Sequence, residues 1–327
     1  MISLVVCGAI NWDISCFVER LPVPGEKVII KQITRVSGGT GGNVAVAAAR
    51  ILGAEKVALI GALGTDDIAH QQIAILEDEG VITTGVHQIA GQESGQAYIF
   101  IDQEGQNVIA NHVGANARLG LKHLKKAQVQ QQLQECKAIV LTDPPLEAAE
   151  ELINLAKRRN IPVLWDPGIL IDQDRKGLRS LAKEAKVLFL NETETSGLLG
   201  TDKLNMSLQR LKKVRFSNHA VFKLGAQGVV MVAAGSGTAI EVPALPLRKL
   251  GLNVVNTVGC GDVFAGVFAA YHVLGASLQE SLVMASAAAG INATRPETRG
   301  SPDRATLEEI AGRSRRLGFA VRKRKLL

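Results

Sequence analysis

Short runs of apolar residues alternate along most of this chain with amphipathic or alanine-rich stretches. The runs SLVVCG, KVALIG, AIVLTD, IPVLWD, KVLFLN and HAVFKLG are too brief for helices and read as buried strands. Most of them close on a polar residue or a glycine. Between them the pattern predicts helices over 43–52 closed by Gly53, 66–79 closed by Gly80, 121–135, 146–159, 175–185 and 204–213. A further apolar run after Asp262 continues to Leu274 and stops at Gly275. Strand and helix taken in turn imply an α/β fold, a mostly parallel central sheet flanked by helices. Such sheets bind ligands beyond the carboxyl ends of their strands, where this chain places its polar residues.

Two regions break the rhythm. Segments 14–36 and 95–112 hold strand-like pieces separated by turn signals, with no long helix between them. They are expected to form a small separate sheet that covers a ligand or pairs with a second subunit; the alternative is an extra edge hairpin on the main sheet. No repeat or low-complexity linker divides the chain, so 1–327 reads as one domain.

Composition narrows the class. At 327 residues with 46% hydrophobic and 21% charged content, the chain buries a large core and is not disordered. Its four cysteines (Cys7, Cys16, Cys136 and Cys260) form no CxxC pair, and the first residues carry neither a basic segment nor an apolar span. A cytoplasmic protein without a membrane partner is expected. The formal charge of +6 is concentrated in 313–327, RSRRLGFAVRKRKLL, which holds seven basic residues and no acid. That stretch reads as a solvated or frayed tail, and no nucleic-acid motif accompanies it.

Five stretches carry candidate chemistry. In NTVGCGDVFAGVF, Asp262 sits at a helix start behind Gly259 and Gly261, so backbone N–H groups can converge on an anion beside a carboxylate; alternatively Asp262 is a plain helix cap. SGGTGGN has four glycines in five positions, with Asn43 at the head of an alanine-rich helix as a cap or as an amide for a hydroxyl. Asp13, in NWD after the first strand, either accepts sugar hydroxyls or is a solvated turn acid. Asn191 and Glu194, in FLNETETSG, suit either a water-rich Mg²⁺ shell or a reciprocal capping arrangement. Lys223, in FKLGAQG, contacts phosphate or is a surface lysine on a hairpin. A Gly-Lys P-loop and the GxGxxG fingerprint are both missing, which sets aside P-loop proteins and dinucleotide oxidoreductases.

Together and in this order, the stretches from GAINWD to TRPETRGSPDRATL strongly resemble the ribokinase family of carbohydrate kinases, the phosphofructokinase B family. GGTGGN and NTVGCGDVFAGVF are the most specific signatures. The resemblance implies a ribokinase-like three-layer α/β fold with a small β lid, and transfer of the γ-phosphoryl of ATP, with Mg²⁺, to a sugar hydroxyl. It assigns Asp262 as catalytic base and Gly259, Cys260 and Gly261 as anion hole. Asp13, Gly39, Asn43 and Asp143 resemble the sugar contacts. Asn191 and Glu194 match the metal and phosphate motif, and Lys223 with Gly225 the nucleotide loop. Ribose is the first expected acceptor; fructose, 2-keto-3-deoxygluconate, a nucleoside or an inositol are alternatives, and a homodimer is expected. The anion-binding amides are expected to keep the pKa of Asp262 low.

Two departures from the family pattern alter the expectations. Asn256 stands where members usually carry aspartate, a position that helps hold an activating monovalent cation, so the response to potassium is expected to be weak or absent. Cys260 replaces the commoner alanine in the anion hole, which suggests sensitivity to thiol reagents. The rival of another class is a non-catalytic sugar- or nucleotide-binding regulator, but binding alone would not require the acid at 262.

Overall fold

A computed structural model describes residues 1–168, 175–201, 203–213, 219–233 and 236–325. The strands are β1 Leu4–Gly8, β2 Asn11–Val18, β3 Ile30–Gly38, β4 Val57–Leu63, β5 Val81–Gln88, β6 Gly95–Ile101, β7 Asn107–His112, β8 Ala138–Thr142, β9 Val163–Asp166, β10 Val187–Leu190, β11 His219–Lys223, β12 Val229–Ala233, β13 Thr238–Val242 and β14 Arg322–Lys325. The helices are α1 Thr40–Leu52, α2 Asp67–Asp78, α3 Leu121–Leu124, α4 Ala127–Glu135, α5 Leu146–Arg159, α6 Arg175–Ala182, α7 Glu192–Leu199, α8 Leu204–Lys213, α9 Cys260–Val273, α10 Leu278–Asn292 and α11 Arg304–Arg315.

A 10-stranded sheet runs in the order β14-β13-β12-β11-β10-β9-β8-β1-β4-β5. It is parallel from β11 to β5 and antiparallel from β11 to β14. The six apolar runs supply its centre. Because side chains alternate along a strand, each run buries both faces. Leu4, Val6, Leu59, Val140 and Phe189 pack with α1, α9 and α10; Val5, Cys7, Ile60, Ile139 and Leu188 pack with α4, α5 and α7. The result is the expected three-layer α/β architecture.

Segments 14–36 and 95–112 contribute to one four-stranded sheet, in the order β3-β2-β6-β7. Asp13 pairs with Ala97, and Ala97 with Asn111, so these three share a face. Tyr98 and Val108 point the other way and are exposed.

Three expectations need correction. The helix predicted over 121–135 is two helices, broken at Lys126, whose ψ of 142 is extended. The Gln130 side chain of the second helix donates to the Leu124 carbonyl at the end of the first at 2.8 Å, which closes one helix and anchors the next. The helix predicted over 175–185 ends at Ala182. The basic tail is not frayed: Arg322–Lys325 forms the outermost strand of the main sheet, with Arg324 donating to Glu241 at 3.2 Å and to Asn205 at 3.1 Å. Four consecutive charged side chains there leave an edge that resists pairing with another sheet.

The contact that positions the site is between α1 and α9. A Cβ at Gly266 would stand 2.5 Å from the Val44 carbonyl oxygen and 2.9 Å from Ala47 Cβ, so only glycine lets the helices approach this closely. Gly266→Ala is expected to cost about 1–3 kcal/mol through overpacking. A lower melting temperature accompanied by reduced turnover checks this; an unchanged melting temperature would show that the contact is not tight.

Candidate active site

The start of α9 divides two clefts at the carboxyl ends of the parallel strands. The first, about 340 Å³, is lined by Asp13, Gly39, Asn43, Asp143 and Asp262, and by Ala97, Ile99, Ile109 and Asn111 of the small sheet. The second, about 380 Å³, is lined by Asn191, Lys223, Gly225, Cys260 and Gly261, with Val229, Leu245, Phe264 and Ala289 as apolar wall. Of the residues singled out in the sequence, Gly259, Glu194 and Asn256 line neither cleft. Gly259 is the N-cap of α9, and Glu194 is bonded to Asn191.

Asp262 is not a plain cap. The N-cap is Gly259, at φ 78, and no side chain caps α9; the Cys260 N–H donates to the Thr257 carbonyl at 3.3 Å, and the next amides of the first turn are left to an anion. A Cβ at Gly259 would lie 2.0 Å from the Thr298 carbonyl oxygen, which fixes glycine there. Asp262 Oδ2 instead accepts from Asn43 Nδ2 at 2.8 Å. The expectation of a low pKa is overturned. Burial pushes the carboxyl up to about 7; the Asn43 bond and Lys223 oppose the rise, while Asp166 and Asp143 add to it. Desolvation here outweighs the Asn43 bond and the charge of Lys223.

Lys223 is buried rather than on the surface. Its Nζ lies 2.5 Å from Asp166 Oδ2 and 3.8 Å from Glu194 Oε2. Burial alone favours the neutral amine, but Asp166 and Glu194 together hold its pKa above the usual value. A Cβ at Gly261 would sit 3.4 Å from this ammonium, which therefore stands at the foot of α9. Asn191 and Glu194 adopt the reciprocal capping arrangement: Glu194 N–H donates to Asn191 Oδ1 at 2.8 Å, and the Asn191 N–H and Nδ2 donate to the Glu194 carboxylate at 2.6 and 2.8 Å. Burial, and next the charge of Asp166, raise the Glu194 pKa.

On the acceptor side, burial pushes Asp13 up to about 6 against the opposing charge of Arg299. Asp143 holds a left-handed backbone at φ 51, and its Oδ2 accepts from Thr40 Oγ1 at 3.1 Å. Asn116 bonds both the N–H and the carbonyl of Ile10 and donates to Asn11 Oδ1 at 2.9 Å, which fixes the turn between β1 and β2. Gly39, at φ 82, leaves no room for a side chain, since a Cβ would lie 2.4 Å from the Asn11 nitrogen. Asn256 ties two loops together, donating to the Pro296 carbonyl at 2.9 Å and accepting from Val258 N–H at 3.0 Å.

Burial raises the Cys260 thiol pKa, so it is a weaker target for thiol reagents than its sequence position suggests. Sequence reasoning missed Asp166, Arg299, Thr40 and Asn116. Asp166 had a signal: it ends the IPVLWD run as Asp143 follows AIVLT, at a strand end.

A half-buried carboxylate between two clefts, at a helix start that no side chain caps, is the layout of a group-transfer enzyme that holds two substrates face to face. Residues 1–304 match the model of the pfkB family carbohydrate kinase, and the chain belongs to that family. It is 26% identical over 306 residues to a ribokinase of Schizosaccharomyces pombe, covering 90% of this chain and 93% of that protein. It is 28% identical to a deoxyribokinase of Salmonella typhimurium, covering 91% of this chain and 95% of that protein. The solved structure of an Arabidopsis thaliana ribokinase complexed with ribose and ATP superposes with a TM-score of 0.82 at 27% identity, covering 95% of this chain and 99% of that one.

A base must be ionised to accept a proton. With Asp262 near 7, kcat/KM for the acceptor is expected to fall as the pH drops through about 7. Asn43→Ala removes a bond that favours the ionised form, so its acid limb moves to higher pH. A pH-rate profile with no acid limb between the ordinary carboxylate range and neutrality would contradict the shift.

Proposed function

We propose that this carbohydrate kinase transfers the γ-phosphoryl group of ATP to a hydroxyl of a small neutral sugar, ribose first. The observation that carries the reading is the placement of Asp262 on the wall of one cleft while Cys260 and Gly261 line the other. The two reactants then meet at the start of α9. The acceptor cleft offers asparagines and three carboxylates, Asp13, Asp143 and Asp262, and among the described residues no lysine or arginine lines it. Such a lining accepts hydroxyl donors and repels anions, which favours ribose, fructose, a nucleoside or an inositol over 2-keto-3-deoxygluconate. The ribose and ATP with which the Arabidopsis ribokinase is complexed support the choice.

In this reading Asp13, Asn43 and Asp143, with the Gly39 backbone, hold the sugar, and Asp262 accepts the proton of its reacting hydroxyl. The hydroxyl oxygen attacks the γ-phosphorus, its bond to the bridging oxygen breaks, and ADP leaves. A pKa near neutrality suits a base that must take a proton and release it again at each turnover. Amides of Gly259, Cys260 and Gly261 at the helix start receive the charge that spreads over the phosphoryl oxygens. Lys223 adds a fixed positive charge, and Gly225 shapes the nucleotide side of the second cleft. Magnesium, bound with the nucleotide, neutralises phosphate charge. Both Glu194 oxygens are engaged by Asn191, so the carboxylate suits a metal reached through coordinated water rather than directly. The regulator alternative leaves unexplained a buried acid whose burial cost only catalysis recovers.

The small sheet is read as a lid, since its Ala97, Ile99 and Asn111 face the acceptor cleft. Its outer face exposes Ile33, Tyr98 and Val108, which supports a homodimer built on that surface. All four cysteines are free, which supports a reducing, cytoplasmic setting. Among the described residues no helix is long and apolar enough to cross a membrane. The Asn256 side chain, committed to Pro296 and Val258, supports a weak or absent potassium response.

Release of ADP over a panel of pentoses, hexoses, nucleosides and inositols tests the assignment, with and without potassium. Ribose is expected to be the best acceptor, with potassium making little difference. Asp262→Asn is expected to lower kcat by about 10² or more, with sugar affinity little changed. Near-normal turnover in that variant would remove the base.

A further inference from the structure

Asn43 and Asp262 belong to a larger buried network that begins at Arg299. This arginine, in the loop after α10, is 8% exposed. Its Nε donates to Asn43 Oδ1 at 3.1 Å, Nη1 to Ser37 Oγ at 2.8 Å, and Nη2 to the Gly38 carbonyl at 3.1 Å. The Arg299 carbonyl in turn accepts from Arg50 Nη1 at 3.0 Å, which anchors its backbone.

A guanidinium has donors only, so every group it meets must present an acceptor. That condition sets a direction. With its oxygen committed to Arg299, the Asn43 amide turns its NH₂ group away, and Nδ2 donates to Asp262 Oδ2 at 2.8 Å. The second arm obeys the same rule. Ser37 Oγ accepts from Nη1 and gives its own hydrogen to Gln72 Oε1, and Gln72 Nε2 then donates to the Asn11 carbonyl at 2.5 Å. Asn11 lines the acceptor cleft.

We infer that Arg299 is a positioning residue that fixes the hydrogen-bond polarity of the acceptor site: through Asn43 it aims a donor at one oxygen of Asp262 and leaves the other to the substrate hydroxyl. The inference rests on Asp262 as the base. Without the arginine, the Asn43 amide is free to turn by half a revolution and present its oxygen to the carboxylate, which disfavours the ionised form. The other groups whose charge acts on Asp262 or is acted on by it are Asp166, Lys223, Asp143 and Cys260, and none of them orients the Asn43 amide. Gly42 fits the same account: a Cβ there would lie 2.7 Å from Arg299 Nη2 and displace the fork.

Arg299→Lys keeps the charge and removes the rigid fork. It is expected to lower kcat by about ten- to a hundredfold, to move the acid limb of kcat/KM to higher pH, and to leave KM for the nucleotide unchanged. Because the effect on kcat passes through Asn43, the double variant Asn43→Ala with Arg299→Lys should turn over no more slowly than Asn43→Ala alone. Gly42→Ala, which shifts the guanidinium without removing it, should move the acid limb in the same direction and serves if Arg299→Lys does not fold. A wild-type kcat and acid limb in Arg299→Lys or Gly42→Ala, or losses that multiply in the double variant, would overturn the role. Asp262→Asn measured alongside separates the two readings: if it is active, the base and this inference fall together. If it is inactive while Arg299→Lys behaves as wild type, only the role of Arg299 falls.

Discussion

Everything at this site depends on a carboxylate being partly withdrawn from water at the start of a helix. Ionised carboxylates are seldom buried without compensation, and Asp262 receives only partial compensation: one bond from Asn43 and the more distant charge of Lys223. The helices that carry Asn43 and Asp262 must therefore approach closely, and Gly266 against the Val44 carbonyl is what allows it. A close helix–helix contact in the core thus governs how far the acid is withdrawn from water.

The same economy governs the two clefts. In the proposed function, acids gather on the acceptor side, where hydroxyls donate, and the amides of the helix start serve the nucleotide side, where phosphate oxygens accept. Lys223 is held on the second side by Asp166 and Glu194, which keep it charged although it is buried. Glu194 and Asn191 lock one another, so the group proposed to meet the metal is already rigid. Arg299 supplies the remaining element, a source of direction for hydrogen bonds that otherwise could run either way.

Much of this was legible along the chain. Apolar runs of five or six residues ending in Thr142, Asp166 and Asn191 marked parallel strands and the face where ligands bind. The glycines before Asp262 marked a helix start. Less legible were features set by partners far away in sequence. Arg322–Lys325 has no apolar alternation and becomes a strand only because β13, some eighty residues earlier, offers it an edge. The helix break at Lys126 is held by a side-chain bond, from Gln130 to the Leu124 carbonyl, that periodicity does not register. Arg299 carries no signal in the sequence, because its four partners, Ser37, Gly38, Asn43 and Arg50, come from β3 and α1 at the other end of the chain. The pKa of Asp262 was misjudged for the same reason: a helix dipole is visible in a motif, whereas depth of burial is a property of the whole fold.

The most direct measurement is a crystal structure with the sugar acceptor and a non-hydrolysable ATP analogue bound together. The account predicts one acceptor hydroxyl within hydrogen-bonding distance of the free Asp262 oxygen, in line with a terminal phosphate seated on the Gly259–Gly261 amides. A sugar bound away from Asp262, or a phosphate seated elsewhere than at the start of α9, would contradict it.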